Sequence, residues 1–87
     1  MKIKKGFVVR KIAGEDVVVA LGAASKQFSG LIKLNETGRF LWDKLSVGCE
    51  ENELIDALVA EYDVNRDVAA KDVKTFIDNL KGADVFE

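Results

Sequence analysis

The spacing of apolar residues changes near residue 35, and that change divides the chain into a strand-forming third and a helical remainder. Phe7–Ile12 and Val17–Leu21 are short runs rich in β-branched residues, the composition that fits a pleated, half-buried surface. Ala13-Gly14-Glu15-Asp16 between them is a turn signal of hairpin length. The stretch Gly22–Gly30, GAASKQFSG, is small and polar at both ends and predicts a longer loop with Phe28 turned inward. Gly30–Leu34 predicts a third strand, in which Ile32 and Leu34 share one face and Leu31 and Lys33 the other.

From Asn35 the period is that of a helix. Asn35 can accept a hydrogen bond from the free N–H groups of a first turn, and Glu36 complements the helix dipole. Phe40, Leu41 and Leu45 follow on one stripe with Trp42 beside it, a placement that predicts a core tryptophan, and Gly48 closes the element. A second helix is expected over about Glu50–Tyr62, with Leu54, Ile55, Leu58, Val59 and Tyr62 on its apolar stripe and Cys49 at its cap position. A third, capped by Asn65 or Asp67, runs to about Lys81 with Ala69, Val73, Phe76, Ile77 and Leu80 inward. Val85 and Phe86 then form a short strand or cover the core. The expected fold class is therefore α+β: a winged helix-turn-helix arrangement, with a three-stranded antiparallel sheet followed by a three-helix bundle in one domain, 1–87. Helices with single apolar faces must pack on each other and on the sheet.

Composition narrows the function classes. A chain of 87 residues buries one thin core and has little room for a deep, walled pocket. It contains no histidine, so the usual general base near neutral pH is missing. One cysteine, Cys49, leaves no partner for a disulfide and no Cys/His zinc set, and it is expected to be structural. No cofactor or metal site is expected, and no catalytic residue. Gly22-Ala23-Ala24-Ser25-Lys26 lacks the spacing of a phosphate-binding loop. Arg10, Lys11, Glu15 and Asp16 interrupt the apolar start, so neither a signal peptide nor a membrane span is expected, and a soluble cytoplasmic location is.

Charge is uneven. Residues 1–34 carry seven Lys/Arg against two Asp/Glu, and residues 35–87 carry six against thirteen. A nucleic-acid reader would be the third helix, yet its Arg66, Lys71, Lys74 and Lys81 are interleaved with Asp67, Asp72 and Asp78. A DNA-binding winged-helix regulator is thus the alternative reading, and nucleic acid is not the expected partner. The third strand carries more promise. At a sheet edge its unpaired N–H and C=O groups would accept an extended peptide as an added strand.

The run LIKLNETGRFLWDKL, with its strand, Leu34-Asn35-Glu36-Thr37-Gly38 and the helix bearing Trp42, resembles the PqqD family. So does EYDVNRDVAAKDVKTFIDNLKGADVF, with Asp72-Val73, Phe76-Ile77 and Leu80 ahead of a glycine and an apolar end. The likeness extends over about residues 6–87 and lies in the order and spacing of these motifs. It implies a non-catalytic chaperone that binds the leader of a ribosomally made precursor peptide. The chaperone would present that leader to a modifying enzyme, often a radical S-adenosylmethionine maturase, with pyrroloquinoline-quinone biosynthesis as the family's name-giving pathway. The leader would lie between the third strand and the third helix, over Leu31, Ile32 and Lys33. Helical geometry leaves two flanks for the wall: Val68, Asp72, Thr75 and Asn79, or Ala70, Lys74, Ile77 and Lys81. The first, with Phe76 bridging toward the core, is the reading adopted. A monomer or weak dimer that binds no membrane is expected.

Overall fold

The computed structural model describes residues 1–22 and 32–87. The expected loop beyond Gly22, with Phe28, and the strand position Leu31 lie outside the described residues. The elements in order are β1 (Phe7–Ile12), β2 (Glu15–Ala20), β3 (Ile32–Leu34), α1 (Glu36–Val47), α2 (Glu51–Tyr62) and α3 (Arg66–Gly82). The three strands form one antiparallel sheet in the order β1-β2-β3, so the α+β architecture is the one the periodicity predicts.

β2 begins two residues earlier than the run of valines implies. The turn is only Ala13-Gly14, both with positive φ (52° and 83°), which frees Glu15 and Asp16 to pair with Ile12 and Lys11. Two left-handed residues give a turn whose twist matches that of the strands. In the resulting register Val9 pairs with Val18 and Val18 with Ile32. Paired residues share a face, so Val9, Val18, Ile32 and Leu34 form one apolar surface against the helices.

Helices α1 and α3 each start on an asparagine whose side chain answers a free N–H group. Asn35 Oδ1 accepts from Gly38 N–H at 2.8 Å, and Asn65 Oδ1 accepts from Asp67 N–H at 2.8 Å. The cap of α2 falls on Glu50 and not on Cys49, because Glu50 N–H donates to Glu53 Oε1 at 3.0 Å in a capping box. Leu45, Leu54, Val73, Ile77 and Leu80 are fully enclosed, and Trp42 is 2% exposed. Each such side chain contributes about 1.5–3 kcal/mol by leaving water.

The C-terminal segment runs back beside the N-terminus. Lys4 N–H donates to Val85 O at 2.8 Å and Glu87 N–H to Lys2 O at 2.9 Å, around a bridge between Ile3 and Phe86. Val85 is completely buried there. Cys49 N–H donates to Met1 O at 2.9 Å, which ties the start of the chain to the α1–α2 junction as well. The molecule measures 38 × 29 × 19 Å, and its short axis is two layers thick. No helix among the described residues is long and apolar enough to cross a membrane.

Candidate functional site

β3 lies at the edge of the sheet and is bonded to β2 through Ile32, Lys33 and Leu34. Among the described residues no strand pairs with its other side. The C-terminal tail is held at Ile3 and not at that edge. Along the strand Leu34 is buried in the core, Ile32 is half-buried against it, and Lys33 is exposed.

Of two neighbouring surface hollows, one is lined by Lys33 and Leu34 of this strand and the other begins beyond it at Asn35. The larger, of about 730 Å³, lies toward the hairpin and is lined by Lys11, Gly14, Glu15, Asp16, Lys33, Leu34, Glu36 and Arg39. The smaller, of about 350 Å³, lies between the start of α1 and α3, with Leu41 and Leu58 at its base and Thr37, Lys71, Asp72, Thr75 and Asn79 around it. They meet at Asn35, Gly38 and Phe76, which line both. Together they make a trough from β3 to α3 with a capped helix start in its floor.

Ion pairs fix the hairpin side. Asp16, with a side chain 16% exposed, receives Lys11 at 3.7 Å and Arg39 at 3.4 Å, and Arg39 also reaches Asp43 at 3.0 Å. Lys33 meets Glu15 at 3.3 Å. Exposed pairs of this kind are worth less than about 1 kcal/mol each, so they set orientation more than stability. Partner for partner, the cations in this hollow are matched by carboxylates, which leaves no concentrated charge of either sign.

The predicted site residues divide. Asp72, Thr75, Phe76 and Asn79 come together on the wall of the smaller hollow, and Lys33 lines the larger. Ile32 and Val68 line neither. Val68 is 51% exposed at the first turn of α3, one turn before Asp72, and Ile32 packs inward. The alternative flank loses a member, because Ile77 is 1% exposed and belongs to the core. Phe76, expected on the inner face, is half-buried and lies at the core's rim.

Gly38, Thr37, Arg39, Leu41, Leu58 and Lys71 also line the trough, and reading the sequence did not find them as site residues. Gly38 left a signal. A glycine inside a helix is unfavourable by about 1 kcal/mol against alanine and so implies a packing reason. Cys49 is remote from the trough, at the α1–α2 junction. Burial and then the charge of Glu53 hold its thiol above the usual cysteine range, which suits an inert side chain.

The sequence matches the family of coenzyme PQQ synthesis protein D, PqqD, over residues 10–85. Among solved structures the chain is similar to TbiB1 in complex with the TbiA(beta) leader peptide. The TM-score is 0.77 and the identity 29%, over 100% of this chain and 95% of that one. It is also similar to a lasso peptide synthetase B1 complexed with its leader peptide, with a TM-score of 0.70 and 20% identity over 93% and 89% of the two chains. The second likeness speaks to the fold alone. No curated protein matches the sequence.

Proposed function

The chain belongs to the PqqD family, and from that premise we propose that it is a non-catalytic chaperone that binds the leader of a ribosomally made precursor peptide. The observation that carries this reading is the outer edge of β3, without a strand partner among the described residues, at the end of two contiguous hollows of which the farther is walled by α3. An extended leader laid along β3 would satisfy edge N–H and C=O groups, and its alternate side chains would reach the trough. The solved relative at 29% identity holds a leader peptide, which supports the same partner class here.

In this reading Lys33 and Ile32, with Leu31 beyond the described residues, offer the strand. Asp72, Thr75, Phe76 and Asn79 form the wall, with Val68 at its far end. The chaperone gives affinity and presentation, and bond chemistry belongs to a partner enzyme. A radical S-adenosylmethionine maturase is the proposed partner, in quinone synthesis or another peptide pathway, and the cytoplasm the proposed setting. DNA regulation gains no support from the family or the solved relatives, and α3 carries interleaved charges where a phosphate-neutralising stripe would be needed.

Amide-shift titration tests the proposal, using a synthetic peptide of the leader encoded beside the gene and the isotopically labelled chain. Shifts confined to Ile32–Leu34, the start of α1 and the outer flank of α3 are expected. Unmoved amides there at high micromolar peptide would end the reading.

A further inference from the structure

We infer that the main chain of Lys33 anchors the bound leader and thereby fixes which guest side chains meet the helices; the inference rests on the leader-binding reading.

Opposite residues in an antiparallel pair alternate. One couple exchanges both of its N–H···O=C bonds, and the next exchanges none and turns those groups to the far sides. Two features set this alternation between β1 and β2. The two-residue turn Ala13-Gly14 is closed by Ile12 and Glu15, which makes that couple a bonded one. At the other end Leu21 N–H donates to Gly6 O at 2.6 Å, one step beyond the couple of Phe7 and Ala20. Both ends give the same alternation, in which Glu15, Val17 and Val19 bond to β1. Asp16 and Val18 therefore turn their N–H and C=O groups to β3, where Leu34 and Ile32 meet them.

Lys33 is left over. It stands opposite Val17, whose main chain is used by β1, so its own N–H and C=O point out of the sheet at the open edge. Two residues on, Asn35 has its C=O engaged by Arg39 N–H at 2.9 Å, and α1 ends the ladder on that side. Among the described residues of β3, Lys33 is thus the one that offers both groups to a guest.

Lys33, Val17 and Arg10 are cross-strand partners and share one face of the sheet. Val9, Val18, Ile32 and Leu34 occupy the other face, toward the helices. Whichever way the leader runs, the guest residue paired with Lys33 lies on the outer face. Its two neighbours turn toward the helices, so selection by the trough falls on guest residues two apart.

Hydrogen exchange on the labelled chain supplies the first test. Corrected for intrinsic rates, the Lys33 amide of the free chain should exchange at least about tenfold faster than that of Leu34, and saturating synthetic leader should close that gap. In the complex, the guest residue paired with Lys33 should show nuclear Overhauser contacts to the Lys33 side chain and none to the Phe76 ring. Proline at position 33 removes an N–H that the sheet does not use, a place where an edge strand tolerates it. Lys33→Pro and Lys33→Ala both lose the side chain and its ion pair with Glu15, so their difference reads the main chain. Lys33→Pro is expected to melt within about 8 °C of Lys33→Ala and, by calorimetry, to bind leader at least about tenfold more weakly. A free-chain Lys33 amide as protected as that of Leu34, a gap that persists with leader bound, equal binding by the two variants, a Lys33→Pro chain that does not fold, or contacts from the paired guest residue to Phe76 would each overturn the inference. An unmodified chain that binds no leader would instead remove the leader-binding reading itself.

Discussion

Ala13 holds a φ of 52° at the tip of the hairpin, a conformation that crowds its Cβ against the backbone. The left-handed region is unfavourable by roughly 1–2 kcal/mol for most L-residues and is tolerated by asparagine. Ala13→Asn is therefore expected to stabilise the domain by about 0.5–1 kcal/mol, read as a higher urea midpoint with an unchanged slope. Cys49 gives a second prediction at this scale. Burial and Glu53 raise its pKa above the ordinary 9.0, so the folded state disfavours the thiolate. The unfolded chain ionises first as pH rises. The stability contribution is complete below pH 9 and is lost as pH climbs through the raised folded value. Iodoacetamide should alkylate the native thiol more slowly than the urea-unfolded one at pH 8. Single residues were unevenly legible. Asn35 announced its cap because an asparagine before a helical period has one obvious use. Glu50 did not, since its capping depends on the reciprocal bond with Glu53, and Cys49 beside it occupied the expected position.

At the scale of elements, apolar spacing identified all three helices and the two strands of the hairpin, because each has one face that must leave water. It misplaced the start of β2. Polar Glu15 and Asp16 read as turn residues, and only the two-residue turn draws them into the ladder. α3 shows the same limit. Its two candidate flanks are equivalent on a helical wheel until the helix is docked, and docking buries Ile77, a member of the second flank. Asp72 and Thr75 are exposed on the trough wall and support no core contact. Asp72→Arg or Thr75→Arg is expected to weaken leader binding at least tenfold by obstructing the trough, with stability changed by less than about 0.5 kcal/mol. Calorimetry and thermal melting on the same samples separate the two effects, and a large fall in melting temperature would indicate a packing role instead.

Across the whole molecule, the placement of the C-terminal segment decides whether the sheet edge is open, and the sequence offered both a strand and a lid for Val85 and Phe86. Long-range pairing of this kind leaves no periodic trace, so the bridge to Ile3 was not readable. The buried valine there predicts that Val85→Ala lowers unfolding free energy by about 2 kcal/mol, measured by urea denaturation, while leader affinity of the folded fraction is kept. Both outcomes follow from a clamp that stabilises the domain from a place outside the trough. The open edge of β3 has a kinetic corollary. The described residues of β3 can exchange only a few main-chain bonds with a guest, each worth about 1 kcal/mol net. Dwell time is then governed by side-chain fit, and a precursor can be handed over and its carrier reloaded without any part of the scaffold having to open.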